Sequence, residues 1–251
     1  MVCPSWEISE RKVSESMMEI RTGWIKMSLV ALMGALLLAL VACSGTAVAA
    51  ADPSAPPNSA TNGVVTAAAQ VPSVQIGTGE LSDSEAAGIL FMREEEKLAR
   101  DVYLTLYEKW GLGIFENIAT SEATHMEAVK ALIDRYGLQD PAEGKDIGEF
   151  TNPELQSLYN ELVEMGSQSL VEALRVGAAI EEIDILDLQQ HIAETEKADI
   201  QRVYENLMRG SQNHLRAFTS VLERQGETYQ PQYLDQEAFD GIVNAPRGRG
   251  N

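Results

Sequence analysis

The fold is decided by the stretch MREEEKLARDVY, residues 92–103, whose side chains have the spacing of a buried helix face. Met92, Glu96 and Tyr103 follow one another at intervals of four and seven residues, which places them on one side of an α-helix. The same spacing continues in both directions and predicts a helix over 84–110, with a serine cap at its start and glycines after its end. Glu96 is therefore predicted to point inward, among apolar and aromatic neighbours.

Three more segments, all later in the chain than this helix, carry apolar side chains at intervals of three and four residues. The four long helices are predicted at 84–110, 114–136, 167–192 and 195–224. A loop containing Pro and Gly is predicted at 139–151, and a shorter helix is predicted from Pro153 to about Gly166. The sequence thus predicts an all-α protein, a four-helix bundle with one extra short helix between helices 2 and 3.

Ionisable side chains lie on the predicted buried faces of all four long helices. They are Glu96, Glu122, His125, Glu181, Asp184 and His214. An isolated buried charge costs on the order of several kcal/mol, and no Lys or Arg lies on these faces to offset it. Two explanations remain, a bound metal or a wrong helical phase in all four helices. Carboxylates and imidazoles are the ligands of di-iron and di-manganese bundles, so iron or manganese is the predicted metal.

Each of these residues also has a simpler explanation when it is considered alone. Glutamates such as those of REEEKLAR, and the acids of EEIDILD, are typical of solvent-facing helix surfaces, and an inward histidine is typical of a hydrogen-bonded core. A rotated helix would turn Glu95 or Glu182 inward instead. His191 lies seven residues beyond Asp184, which is ~10 Å along a helix and too far to join the group.

Four motifs together resemble an uncharacterised ferritin-like domain family of bacteria and archaea, over residues 81–243. The motifs are MREEEKLARDVY, SEATHMEAV, VGAAIEEIDILDL and GSQNHLRAF. The first is also similar to the first helix of ferritin and rubrerythrin, and the second contains their Glu-x-x-His. The resemblance implies a ferritin-like fold with a dinuclear centre. It also implies that Tyr103 donates a hydrogen bond or an electron to that centre, the alternative being a packed core ring.

The chain departs from the di-iron pattern on the fourth long helix. Di-iron bundles normally carry a second Glu-x-x-His there, whereas Ser211 precedes His214 in this sequence. Asp184, one turn from Glu181, is expected to supply the missing carboxylate. Without it, only one ion would be held tightly.

The resemblance implies an oxidoreductase in which Fe(II) reacts with O₂ or peroxide between two metal ions. Glu96, Glu122, Glu181 and Asp184 would hold and bridge the metals, and the two histidines would be terminal ligands. Two other classes of function stay open. One is a non-catalytic envelope protein that binds or buffers metal, and the other is a metal-free helical interaction module.

The segment that precedes the helices has the pattern of an export signal. An uncharged apolar run at 27–42 ends in LVAC, which resembles a lipoprotein signal and predicts lipidation of Cys43. Residues 1–43 are therefore interpreted as a leader, and 44–80, rich in Ala, Ser, Thr and Pro, as a flexible linker. The predicted location is the cell envelope, as a membrane-anchored lipoprotein, with a soluble secreted protein as the alternative. Residues 244–251 are interpreted as a disordered tail.

Charge and cysteine content restrict the partners further. The chain has 19 Lys and Arg against 38 Asp and Glu, a net charge of −19, which disfavours nucleic acid and anionic lipid and attracts cations. Its two cysteines, Cys3 and Cys43, both precede the helices, so disulfides and iron–sulfur clusters are excluded from the fold. Metal ions are the predicted partners, membrane contact is limited to the lipid on Cys43, and a homodimer is the candidate oligomer.

Overall fold

The computed structural model describes residues 80–245, in which all regular structure is helical. The helices are α1 (Asp83–Trp110), α2 (Gly113–Tyr136), α3 (Pro153–Gly166), α4 (Leu170–Glu194), α5 (Ala198–Arg224) and α6 (Gln236–Val243). The all-α prediction is therefore confirmed within the described residues. None of their helices combines the length and the apolar character that a membrane span requires.

The four long helices pack as two pairs, α1 with α2 and α4 with α5. Contacts of α1 with α4 and of α2 with α5 join the pairs into a helical bundle, whereas α3 lies on α1 and α4. Apolar side chains from all four long helices form a core near the start of α1. Its buried members are Ile89, Met92, Val129, Leu132, Ile133, Leu188, Ile200, Tyr204 and Leu207. Aromatic rings pack further along, where Phe218 lies 5.3 Å from Tyr103 and 5.9 Å from Phe115 between ring centres.

The helix ends follow local sequence signals. Ser82 caps α1 in a capping box with Glu85, and Gly111 ends that helix in the left-handed region at φ 64°. The start of α4 is at Leu170 rather than at residue 167, because the Ser169 side chain accepts a hydrogen bond from the Glu172 amide and caps the helix there. Similarly, α5 begins at Ala198, three residues later than predicted.

The C-terminal segment packs on the bundle through buried aromatic side chains. Tyr229, Tyr233 and Phe239 are each 6% exposed, and α6 had no counterpart among the predicted helices. Buried Glu182 accepts hydrogen bonds from the backbone amides of residues 232–234 and so ties this segment to α4. Glu182 therefore has a structural role and is not an alternative metal ligand.

The solvent-facing interpretation of REEEKLAR is wrong, because much of its charge is buried under the loop between α2 and α3. Arg93 pairs with Asp140 at 3.0 Å, and Lys97 pairs with Asp101 on its own helix. Lys97 also donates to the Asp146 carbonyl, and Asp101 accepts from the Gly148 amide. These buried cations hold the loop in place rather than neutralising the acids inside the bundle.

The predicted leader (1–43), lipidated Cys43 and most of the linker (44–80) lie outside the described residues, as do residues 246–251 of the predicted tail. Export and membrane attachment therefore stay predictions.

Candidate metal centre

Six ionisable residues that the sequence places on buried helix faces lie inside the bundle. Glu96 is on α1, Glu122 and His125 are on α2, Glu181 and Asp184 are on α4, and His214 is on α5. The carboxylate residues are at most 5% exposed, and the His125 side chain is 12% exposed. Five of the six form two adjacent groups that share one residue, as the distances between their side chains show.

The first group consists of Glu96, Glu122 and His125. The Nδ1 atom of His125 lies 2.7 Å from Oε2 of Glu122 and 3.2 Å from Oε2 of Glu96. One potential ligand atom from each residue lies within 4.8 Å of the others. The i, i+3 spacing on α2 brings the histidine and its glutamate to the same side of that helix.

The second group consists of Glu122, Glu181 and His214, again with ligand atoms within 4.8 Å of one another. Nδ1 of His214 lies 2.8 Å from Oε1 of Glu122 and 3.4 Å from Oε2 of Glu181. Glu122 thus directs one oxygen to each histidine and is common to both groups. The two imidazole rings stack with their planes inclined by 28° and their centres 5.5 Å apart.

Several atoms at this centre have no hydrogen-bond partner although they are buried. They are Oε1 of Glu96, Oε1 of Glu122, Oδ1 of Asp184 and Nδ1 of His214. The last atom is 2.8 Å from Oε1 of Glu122, but the pair lacks the alignment of a hydrogen bond. Buried polar atoms are normally satisfied, and an uncompensated one costs ~1–3 kcal/mol. Buried carboxylate oxygen and imidazole nitrogen atoms without partners are the ligand types that fit a divalent cation such as iron or manganese.

The charges of the centre are strongly coupled. Burial raises the pKa of Glu96 to about 7, and the neighbouring Glu122 charge acts in the same direction. Burial opposes protonation of both histidines. Hydrogen bonds and charges of Glu122 and Glu96 nevertheless raise the pKa of His125 to about 11, and the charges of Glu181 and Glu122 raise the pKa of His214 to about 10. Without metal, two imidazolium ions therefore compensate the carboxylates. A bound cation would take over that role and release their protons.

Asp184 lies beside the centre without joining either group. Its Oδ2 accepts a hydrogen bond from Ser211, the residue at the position where di-iron bundles carry a second glutamate. Burial and the charge of Glu96 raise the pKa of Asp184 well above its usual range. The structure thus places Asp184 next to Ser211, as the one residue of the six that belongs to neither three-residue group.

Tyr103 is completely buried and donates a hydrogen bond to Oε1 of Glu181 at 2.6 Å. Its hydroxyl also lies 3.3 Å from the Gly177 carbonyl. Gly177 accommodates the ring of Phe218 beside Tyr103. A Cβ atom at that position would lie 2.5 Å from two of the ring atoms. Tyr103 therefore fixes one oxygen of Glu181 and packs as a core ring.

Two residues at the centre were missed by the sequence reasoning. The Ser121 hydroxyl forms a hydrogen bond of 2.9 Å with Nε2 of His214, which leaves Nδ1 of that ring directed at the carboxylates. Gly210 lies against His125, since a Cβ atom there would be 2.4 Å from Cε1 and Nε2 of the ring. Ser121 directly precedes Glu122 and Gly210 directly precedes Ser211, but such neighbours give no periodic signal. His191, judged too distant, bonds Glu194 at 3.2 Å near the end of α4.

We expect Gly210→Ala to weaken metal binding by ~10–100-fold, the range for changes that disturb the orientation of a ligand. The added methyl group must displace the His125 ring from its position beside Glu96 and Glu122. Competition with a chelator would measure the affinity for Mn(II). Gly113→Ala is the matched control, because a Cβ atom there contacts nothing within 4 Å. Equal Mn(II) affinities of the two variants would show that the position of the His125 ring does not depend on the absence of a side chain at Gly210.

The fold and the centre define a class of all-helical protein in which buried glutamates and histidines form two groups suited to metal ions. The chain belongs to the uncharacterized protein domain family DUF2202, whose model matches residues 85–246. It is 53% identical over 170 residues to uncharacterized protein MJ0754 of Methanocaldococcus jannaschii, covering 68% of this chain and 92% of that protein. It is also similar to the crystal structure of hypothetical protein MJ0754, with a TM-score of 0.66 and 52% identity over 68% of this chain and 97% of the other.

Proposed function

We propose that this chain is a ferritin-like protein whose bundle holds two iron or manganese ions and uses them in oxidoreductase chemistry with O₂ or peroxide. The observation that carries the proposal is the position of Glu122, whose two oxygens face two histidines in two adjacent three-residue groups. A carboxylate so placed can serve two ions at once, as bridging carboxylates do in di-metal bundles.

The balance of charge supports two divalent ions. Glu96, Glu122, Glu181 and Asp184 would carry four negative charges when ionised, and two divalent cations would neutralise all of them. The buried cations of α1 do not serve this purpose, because Arg93 and Lys97 pair with other acids. The ligand types, hard carboxylate oxygen and imidazole nitrogen, favour iron or manganese over softer metals.

A bound pair of iron ions would supply the electrons for reduction of O₂ or peroxide. The residues of the chain have separate tasks around it. Glu122 would contact both ions, while His125 and His214 would offer Nδ1 as terminal ligands. Ser121 would accept a hydrogen bond from the Nε2–H group of His214, which would leave Nδ1 to bind metal. The Tyr103 hydroxyl donates a hydrogen bond to Glu181 and so orients it, and the residue is completely buried.

A non-catalytic role in binding or buffering metal is the second candidate. The observation in its favour is Ser211, which stands where di-iron bundles have a glutamate and holds Asp184 by a hydrogen bond. With fewer carboxylates bound directly to the ions, the centre would retain metal without catalysing a reaction.

The test is oxygen uptake by the full chain after anaerobic loading with Fe(II), with peroxide as the second oxidant. We expect consumption of oxidant that depends on the loaded iron and is lost in Glu122→Ala. Retained iron without consumption would favour the buffering role. An absence of bound iron, manganese or zinc would leave a helical interaction module.

A further inference from the structure

Glu95 is a second buried acid of α1, adjacent in sequence to Glu96 but not part of either three-residue group. The residue is 4% exposed, and neither of its carboxylate oxygens has a hydrogen-bond donor. From the sequence alone, Glu95 is expected to face inward only as an alternative to Glu96. In the structure both glutamates are buried, so Glu95 needs an explanation of its own.

The groups that act most strongly on Glu95 are all acids. Asp187 of α4 acts most strongly, followed by Asp184 of the same helix and then Glu96. A carboxylate in such surroundings requires a positive partner, either a proton or a cation.

The other fully buried acids outside the metal centre show what a structural role looks like in this chain. Glu94 accepts from the backbone amides of residues 151 and 152, and Glu182 accepts from three backbone amides. Asp101 accepts from Lys97, Arg100 and the Gly148 amide. Glu95 has no comparable set of donors, so a purely structural role does not account for its burial.

The pair of acids formed by Glu95 and Asp187 lies between solvent and the proposed dinuclear centre. Glu181, Asp184 and Asp187 follow one another at intervals of three residues along α4, so they share one side of that helix. Asp187 is only partly buried, whereas Asp184 is 5% exposed and has Oδ1 without a hydrogen bond. A line of carboxylate oxygens therefore leads inward along α4, with Glu95 facing it from α1.

We propose that Glu95 and Asp187 form a third divalent-cation site, beside the dinuclear centre and on its solvent side, with Asp184 contributing negative charge from within. Its ligands are oxygen alone, so it takes hard cations such as Mn(II), Mg(II) or Ca(II) and holds them less tightly than a centre with imidazole ligands. This site is the third one, and lies beside a dinuclear centre, only if the proposed function is correct. Cation binding by Glu95 and Asp187 does not depend on the proposed function.

The test is an equilibrium titration of the metal-free full chain with Mn(II), with the free ion measured by its EPR signal. The variant is Glu95→Gln combined with Asp187→Asn. The matched control is Glu127→Gln combined with Asp134→Asn, which removes the same charge from two exposed acids. We expect the control to bind two tight equivalents and one weaker one, as the unaltered chain does. The Glu95 and Asp187 variant should lose only the weaker equivalent.

Equal binding by the two double variants would overturn the proposal and indicate that Glu95 holds a proton. Loss of a tight equivalent would also overturn it, because Glu95 would then belong to the main centre. If the unaltered chain bound no Mn(II) tightly, the proposed function would fail. The presence or loss of the weakly bound Mn(II) would still test the site formed by Glu95 and Asp187. Far-UV circular dichroism checks the fold, and Asp187→Asn alone carries the test if the double variant unfolds.

Discussion

Replacement of Glu122 by alanine is expected to abolish tight binding of both metal ions, whereas replacement of Glu96 should remove only one. The reason is geometric, because Glu122 belongs to both three-residue groups and Glu96 belongs to the first alone. Its loss would also leave His125 and His214 without their nearest carboxylate, at 2.7 and 2.8 Å respectively. Metal content after anaerobic loading and desalting would measure the effect.

Glu127→Ala is the control for this experiment, since the residue lies on the same helix and is exposed. It should retain the full metal content. A Glu122→Ala variant that kept one ion per chain would mean that the two groups bind independently. In that case Glu122 would not be shared between two ions.

The second large effect is expected on stability, from Asp101→Asn. Asp101 is completely buried and pairs with Lys97, which is 1% exposed. Removal of one partner of a buried ion pair costs ~3–5 kcal/mol, because the remaining charge has no counterion. For a domain of this size that corresponds to a fall in the thermal midpoint of ~6–20 °C, measured by circular dichroism on metal-free protein.

The chain offers a matched control for this prediction in Asp134→Asn. Asp134 also pairs with a lysine four residues away on its own helix, but its side chain is 64% exposed. Solvent screens such a pair, so the thermal midpoint should hardly change. Equal midpoints for the two variants would show that burial of Lys97 adds nothing to the strength of its ion pair.

The helices could be predicted from the sequence because their apolar spacing is local information. The helix that begins at Pro153 and the end of α1 near Gly111 both follow from nearby residues. The late start of α4 depends on which of several serines caps the helix. The buried charges of α1 were missed because the loop that covers Lys97 is distant in sequence and shows no periodicity.

The centre was predictable to the extent that helical phase determines it. Phase alone places Glu96, Glu122 and His214 inward, but it cannot show which oxygen meets which nitrogen. The sharing of Glu122 between two histidines depends on the packing of α5 against α2. Ser211 was recognised as a departure, yet its bond to Asp184 requires the distance between α4 and α5, which no single helix encodes.

The central claim is tested most directly by the metal content of the full chain, loaded anaerobically with Fe(II), desalted and subjected to elemental analysis. Desalting removes ions held only by the weaker carboxylate pair, so the measurement reports the main centre. We expect two iron ions per chain, because two groups of ligands share Glu122. One ion per chain, or none, would contradict it.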